Sequence, residues 1–179
     1  MTSSDKWVSI SAEYVLPRPP GASDAWQEET GRQGRTGSQT LQEVSEVEPP
    51  AEVAQGLGLA PGDLAVVRRR LVLLDQQPVE LAESYYPLTI ARGTALADFR
   101  KIRGGAVTLL SEMGHRPKRV IEDVFTRMPS AEERELLELA DDQPVLVLVR
   151  QVIGNDDLPI EVSVMTIADG RRLRYELTV

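Results

Sequence analysis

Two long segments of the chain consist of apolar runs that flank a polar turn. Apolar residues dominate each run, and residues typical of turns (Asp, Asn, Gln, Gly and Pro) separate the two runs of a segment. This arrangement predicts two β-hairpins. The runs and turns are, in chain order, Leu64 to Leu74, Asp75 to Pro78, Val79 to Tyr86, Val145 to Val152, Gly154 to Asp157 and Ile160 to Ile167.

Shorter patterns predict further strands and four short helices around these hairpins. The strands are Trp7 to Ser11, Gln39 to Glu48, Lys118 to Met128 and Leu173 to Val179. The helices are Ser23 to Glu29 with Ser23 as the N-cap, Pro50 to Leu57 closed by Gly58, Ala106 to Met113 closed by Gly114, and one after Ser130 with Glu133 in a capping box. The chain shows no internal sequence repeat. We expect an α+β fold with a mostly antiparallel sheet flanked by short helices.

A change of composition divides the chain. Residues 1–40 are rich in Gly, Ser, Pro and charge, and Pro17, Pro19 and Pro20 interrupt any regular element there. We expect residues 1–40 to be an N-terminal extension packed on a domain that spans residues 41–179. Trp26 is the simplest anchor for such an extension.

Composition narrows the class of protein. The length of 179 residues fits one domain, and 41% hydrophobic residues suffice for a core. The absence of cysteine excludes disulfides and thiolate chemistry and fits a cytoplasmic protein. No apolar stretch approaches the roughly 20 residues of a membrane span. A net charge of −8 argues against direct contact with nucleic acid.

Catalytic and metal-binding patterns are absent from the sequence. No nucleophile elbow, phosphate-binding loop, dinucleotide fingerprint or zinc-protease spacing occurs. The single histidine, His115, follows a helix-ending glycine, where a surface or capping role is the ordinary case. Glu80 and Glu161 could act as bases, but both begin the return strand of a hairpin. We expect no enzyme activity, no cofactor and no metal.

Two clusters could bind an anion. In a strand, Arg68 and Arg70 share one face and Arg69 points to the other, so a concave face could bind an anionic group. Alternatively, the arginines are solvated and paired with nearby glutamates. Arg103-Gly104-Gly105 precedes a helix whose first N–H groups are free to bind an anion, or its glycines only permit a tight turn.

An ordered set of motifs between Val44 and Leu177 resembles a known family. The set comprises Pro50 to Ala54, Leu57 to Gly62, Val66 to Arg70, Gln77 to Val79, Ser84 to Pro87, Arg103 to Gly105, Pro129 to Glu133, Gln143 to Arg150 and Leu158 to Glu161. Their order and spacing resemble the UTRA domain, the effector-binding module of the HutC branch of GntR-type transcription regulators. Lys6 to Ser9 and Ser23 to Trp26 look like the version common in actinobacteria.

The resemblance implies a fold and a function. The fold is a mainly antiparallel sheet flanked by helices, similar to chorismate lyase. The function is to bind a small-molecule effector and so switch an attached winged helix-turn-helix, in regulators that are typically homodimers. Two alternatives stay open, namely a chorismate lyase-like enzyme and a ligand-free dimerisation or interaction module.

The resemblance also implies a ligand site. Arg70 matches a family arginine that binds an anionic ligand group, whereas Val72 and Ala82 stand where the family has a second arginine and an acidic residue. The aromatic residues expected near positions 167 and 172 are Ile167 and Arg172. We therefore expect a rather apolar ligand with one anionic or polar group near Arg70, or a degenerate pocket that binds nothing. The predicted ligand-binding residues are Arg70, Val72, Ala82, Ser84, Gly105, Ala106, Thr108 and Glu161.

The residues before the resemblance contain no candidate recognition helix. A GntR-type DNA-binding domain needs more residues than the roughly 40 that precede the match. We expect either a stand-alone sensor that works with a separate DNA-binding regulator or a chain that has lost its DNA-binding half. Met1-Thr2-Ser3 favours the stand-alone chain, although a trimmed chain could begin in the same way.

Overall fold

A six-stranded antiparallel sheet forms the centre of the fold. The computed structural model describes residues 7–19, 22–168 and 170–176. In the order in which they pair, the strands are β2 (Gly37–Val47), β3 (Ala65–Leu74), β4 (Gln77–Pro87), β7 (Pro159–Ile167), β6 (Val145–Gly154) and β5 (Pro117–Arg127). Two further strands, β1 (Trp7–Ile10) and β8 (Arg171–Arg174), pair with each other in parallel. The predicted α+β class with a mostly antiparallel sheet is confirmed.

Short helices cover both faces of the sheet. They are α1 (Ala25–Arg32), α2 (Ala51–Leu57), α3 (Leu88–Ala91), α4 (Ala106–Glu112) and α5 (Ala131–Leu136), with a 3-10 turn at Ser11–Val15. Successive residues of a strand point to opposite faces. Accordingly, Val67 packs with α2, whereas its neighbour Val66 packs with Leu110 of α4. In the part of the chain that is described, no helix has the length and apolar character needed to cross a membrane.

The sheet contains one structural unit twice, although no repeat is apparent in the sequence. The unit is a strand, a helix and a hairpin: β2-α2-β3-β4, followed by β5-α5-β6-β7. Both β5 and β6 begin 80 residues after their counterparts β2 and β3. The pairing order is the same when read from either edge, so an approximate two-fold axis passes between β4 and β7. The repeat is therefore one of structure, which the sequence does not show.

Most of the predicted elements are confirmed, but α3 and the 3-10 turn were not predicted, and further details differ. The N-cap of α1 is Asp24 and not Ser23, because the Asp24 carboxylate accepts a hydrogen bond from the Gln27 amide. The first hairpin turns at Asp75 and Gln76, both with positive φ, and Pro78 already belongs to β4. The last strand, predicted from Leu173 to Val179, is instead Arg171–Arg174, where β8 pairs with β1, and Tyr175 and Glu176 do not belong to it. Residues 177–179 lie outside the described residues, as do Met1 to Lys6.

Helix ends follow the sequence signals closely elsewhere. Gly58 ends α2 in the left-handed conformation at φ 68°. Ser130 and Glu133 form the predicted capping box at the start of α5. These local signals are sufficient to predict the helix ends, because each cap binds backbone groups that lie within a few residues of it in sequence.

Candidate ligand-binding site

An open cleft lies on the sheet face opposite α2 and α5. Side chains of β3, β4 and β7 form its floor. Residues 104–107 form one wall at the start of α4, and residues of the N-terminal segment form another. The cleft therefore lies between the sheet and two short elements that pack on it.

The structure gathers the predicted site residues around this cleft. Six of them line it: Arg70, Val72, Ala82, Gly105, Ala106 and Glu161. Ser84 does not line the cleft and is buried in the floor strand β4. Thr108 lies behind the wall of residues 104–107, where its hydroxyl donates to the Gly104 carbonyl and accepts from the Arg18 amide. Ile167 is in the core beside a smaller cavity, and Arg172 is exposed on β8.

A hydrogen-bonded chain of side chains crosses the floor of the cleft. Arg70 Nη2 donates to Ser84 Oγ at 2.8 Å, and Ser84 Oγ lies 2.8 Å from Ser163 Oγ. Ser163 Oγ donates to Glu161 Oε1 at 2.5 Å. Because the first and last donors are fixed, Ser84 must donate to Ser163. Arg70 and Glu161 are thus held at the two ends of one directed chain.

The ends of this chain retain unused hydrogen-bonding capacity. Arg70 Nε and Glu161 Oε2 are both buried and have no hydrogen-bond partner among the residues described. Neither side chain forms an ion pair with any described residue. A buried polar atom without a partner costs roughly 1–3 kcal/mol, more for a charged group. Both atoms therefore favour occupation of the cleft by a complementary molecule.

The other two arginines of the triplet have structural partners. Arg68 shares the cleft-side face with Arg70, but its guanidinium donates to the backbone carbonyls of Ala95, Leu96, Asp98 and Arg100. It therefore fastens the loop after α3. Burial lowers the pKa of Arg68. Arg69 points to the opposite face and pairs with Glu43 and Glu83. Within the triplet, only Arg70 is therefore available to bind an anion in the cleft.

The N-terminal segment supplies a whole wall of the cleft. Trp26 is 2% exposed, and its indole N–H donates to the Leu73 carbonyl at 3.0 Å. Arg18 binds Glu28, and its buried Nε has no partner within the described part of the chain. The lining residues from this segment are Glu13, Tyr14, Leu16, Arg18, Asp24, Ala25 and Trp26.

Two further buried arginines border the cleft, and each has an acidic partner. Arg150 on β6 binds Glu122 on β5, and both contact the Ser11 hydroxyl. Burial alone would raise the pKa of Glu122, but Arg150 and the hydrogen bond from Ser11 hold it below its usual value. Arg171 on β8 binds Glu80 on β4 and donates to Ser9 Oγ at 2.8 Å. These pairs join the N-terminal segment to both halves of the sheet.

Tyr86 lies between the charged groups of the floor. It is 1% exposed and lines the cleft. Burial raises the pKa of Tyr86, and the nearby Glu161 raises it further. The phenol therefore stays protonated at neutral pH and is able to donate a hydrogen bond.

Several of these residues were missed from the sequence. Ser163 carried a usable signal, because it alternates with Glu161 along a mostly apolar strand and so shares its face. Arg18, Arg150 and Arg171 carried none, since their neighbours in space are remote in sequence. His115 does not line the cleft, and the described residues contain no cluster of three His, Asp or Glu side chains suited to a metal ion.

Comparison with known proteins identifies the family. The UTRA domain family matches residues 32–170. The chain belongs to the UTRA domain family. It is 36% identical over 138 residues to an uncharacterized HTH-type transcriptional regulator of Streptomyces coelicolor, covering 75% of this chain and 51% of that protein. It is 28% identical over 123 residues to the HTH-type transcriptional regulator GgaR of Escherichia coli, covering 66% and 46%.

Solved structures of GntR-family proteins share the fold. The effector domain of PhnF from Mycobacterium smegmatis superposes with a TM-score of 0.74 at 20% identity, covering 89% of this chain and 98% of that one. At this identity the likeness shows the fold alone. This UTRA-family chain spans about half the length of the two regulators that it matches in sequence.

Proposed function

We propose that this UTRA-family chain is the effector-binding domain of a GntR-type transcription regulation system, and that the effector binds in the cleft beside Arg70. One observation carries the proposal. Arg70 Nε and Glu161 Oε2 are buried without partners and belong to side chains that line the same cleft. A structural ion pair would satisfy these atoms within the protein, whereas a binding site leaves them for the ligand.

The proposal gives each residue at the cleft a role. Arg70 and Glu161 contact the ligand, and Val72, Ala82, Gly105 and Ala106 shape the space around it. Ser84 is a positioning residue that holds Arg70, and Thr108 fixes the wall at Arg18. The proposed function is binding without chemical conversion of the ligand, and it requires no cofactor.

Ligand binding would act on transcription through a DNA-binding partner. The two relatives are helix-turn-helix regulators about twice as long as the matched region. We propose that residues 1–40 and 41–179 act together as the sensing part, and that the DNA-reading part is a separate regulator or a neighbouring domain. The acidic composition is consistent with a sensing part that does not itself touch DNA.

A homodimer is proposed through β5. This eleven-residue strand is at the edge of the six-stranded sheet, where one row of its backbone groups has no neighbouring strand among the residues described. It also exposes Ile121, Val124 and Phe125. A second copy of the same strand, related by two-fold symmetry, would pair with this edge and cover the apolar side chains.

The binding proposal is tested with matched arginine variants. A panel of small metabolites would be screened by thermal shift and calorimetry against the wild-type chain, Arg70→Ala and Arg69→Ala. We expect saturable binding without turnover that is lost in Arg70→Ala and kept in Arg69→Ala, because only Arg70 faces the cleft. Conversion of a bound compound to product would favour the enzyme alternative. Equal binding by both variants would refute the site.

A further inference from the structure

The two-fold repeat places an equivalent arginine and glutamate in each half of the sheet. Arg70 lies opposite Ala82 in the β3–β4 hairpin, and Arg150 lies opposite Ser163 in the β6–β7 hairpin. In the same register, Val72 faces Glu80 and Val152 faces Glu161. Arg150 is therefore the counterpart of Arg70, and Glu80 is the counterpart of Glu161.

The protein itself neutralises the charges of Arg150 and Glu80. The residue opposite Arg150 on the neighbouring edge strand is Glu122, which binds its guanidinium. Glu80 receives the guanidinium of Arg171, which is 9% exposed and stacks 5.1 Å from the Trp26 ring centre. A carboxylate thus satisfies the arginine, and a cationic nitrogen group satisfies the glutamate.

Their counterparts Arg70 and Glu161 lack equivalent partners. The residue opposite Arg70 on its neighbouring strand is Leu41, which occupies the place of Glu122 and cannot neutralise a guanidinium. Glu161 receives only the Ser163 hydroxyl, and no described cationic group pairs with it. Arg70 and Glu161 line the open cleft, and their unpartnered atoms are Nε and Oε2.

We infer that the ligand is a zwitterion, with a carboxylate or similar anion for Arg70 and a cationic nitrogen for Glu161, as in an amino acid or an amino-acid-like compound. The inference rests on the proposed function and names the ligand class of the same site. It extends the sequence-based expectation of a rather apolar ligand with one polar group. The apolar residues Val72, Ala82 and Met165 would contact the part of the ligand between its charges.

The balance of charge disfavours ligands with one charge only. Around the cleft, Arg18, Arg150 and Arg171 are already paired with carboxylates, Glu13 and Glu80 with arginines, and Asp24 with Lys101. Arg70 and Glu161 remain, one of each sign. A bound acid without an amine would place its apolar end against the buried charge of Glu161. A bound amine without an acid would place its apolar end against the buried charge of Arg70. Leaving a buried charge without its partner is costly.

The test compares three groups of compounds that share their carbon skeletons. They are α- and ω-amino acids, the corresponding acids without the amine, and the corresponding amines without the acid. N-acetylated amino acids form a fourth group, which keeps the carboxylate and removes the positive charge. Calorimetry with the wild-type chain, Arg70→Ala, the isosteric Glu161→Gln and the control Arg69→Ala would measure each affinity.

The expected result is that amino acids bind best. Removal of either charged group from the best amino acid, or either substitution at Arg70 or Glu161, should weaken binding roughly 10- to 100-fold, the worth of one charge-assisted hydrogen bond. Because N-acetylation leaves the protein unchanged, this arm of the test does not depend on how well a variant folds. The control Arg69→Ala should bind like the wild type.

Two other results separate failure of this inference from failure of the proposed function. If simple acids bind as tightly as amino acids, and binding depends on Arg70 but not on Glu161, the cleft is a binding site and the zwitterion assignment is wrong. If no compound of any group binds at millimolar concentration, the zwitterion assignment and the proposed binding function are both contradicted.

Discussion

Arg70 and Glu161 lie on strands that β4 separates, yet two serine hydroxyls join them in one directed hydrogen-bonded chain. The serines fill the positions between the two charges and leave one atom of each charged group free. The chain therefore holds the two side chains in fixed positions in the unliganded protein. Such preorganisation reduces the entropy lost on binding.

Substitution of Ser163 should weaken both the fold and the site. Ser163→Ala removes the link between Ser84 and Glu161, so that Glu161 Oε1 loses its donor and the buried Ser84 hydroxyl loses its acceptor. We expect the free energy of unfolding to fall by roughly 1–3 kcal/mol. Urea denaturation measures this loss, and calorimetry with the best ligand should show weaker binding.

A serine away from the cleft provides the control for this variant. Ser45 is also a serine on a strand of the same sheet, but it bonds to Glu43, two residues away and remote from the cleft. Ser45→Ala should change ligand affinity little. Equal ligand affinities for Ser163→Ala and the wild type would contradict the positioning role of Ser163.

Trp26 should be essential for the N-terminal wall. Its ring packs in a core cluster with Val72 and Ala82, and its indole N–H binds the Leu73 carbonyl. Trp26→Ala should lower the free energy of unfolding by roughly 3–5 kcal/mol, as expected for a large buried aromatic side chain. Limited trypsin digestion should then cut faster after Arg32.

The matched control for Trp26 is an exposed apolar side chain. Leu158 is 60% exposed, so Leu158→Ala should change stability by no more than about 0.5 kcal/mol. If Trp26→Ala were as stable as Leu158→Ala, the N-terminal segment would not be anchored as the structure describes.

Stability at acidic pH should depend on Glu133. The hydrogen bond from Arg127, with those from Ser130 and Thr166, lowers the pKa of Glu133 from 4.5 to about 2. A depressed carboxyl pKa stabilises the fold above the unfolded value, and this contribution is lost as the pH falls through the folded value. The wild type should therefore exceed Glu133→Gln in stability by about 1 kcal/mol at neutral pH, after allowance for solvent screening.

The difference between these two proteins should shrink as the pH falls from about 4.5 towards about 2. Glutamine keeps the capping-box hydrogen bond to the backbone of Ser130, so the substitution isolates the ion pair. Glu132→Gln, an exposed neighbour on the same helix, is the control. A pH-independent gap in urea unfolding between wild type and Glu133→Gln would contradict the assignment.

Self-association should depend on the exposed face of β5. Phe125 is 43% exposed on this edge strand, and Phe125→Glu would bring two like charges together in the proposed dimer. We expect its dimer dissociation constant to rise at least about 10-fold in sedimentation equilibrium. Phe99→Glu, on a loop and 64% exposed, should not change it. A wild-type chain that stays monomeric at all concentrations would refute the dimer.

The sequence was most informative where structure depends on near neighbours. The hairpins, the cap at Ser130 and the stop at Gly58 follow from local spacing and backbone preference. The position of Arg70 on a cleft followed from its strand and from the family resemblance. The roles of Arg150 and Arg171 could not be predicted, because their partners lie on strands or segments far away in sequence.

The repeat was hidden for a physical reason. A sheet position constrains the size and polarity of a side chain more than its identity, so counterparts such as Leu41 and Glu122 diverge while the backbone order persists. Only the strand register shows that Arg70 and Arg150 are equivalent. Because of this divergence, Arg150 and Glu80 have ion-pair partners within the protein, whereas their counterparts Arg70 and Glu161 line the cleft.

The central claim is that Arg70 and Glu161 bind a ligand in the cleft, and the most direct measurement is the NMR resonance of the arginine Nε–H groups. The chain labelled with ¹⁵N-arginine would be titrated with the best-binding amino acid. We predict a saturable shift of the Arg70 Nε–H resonance, because that group gains a partner, with no shift at Arg69. An unchanged Arg70 resonance at saturating ligand would contradict the claim.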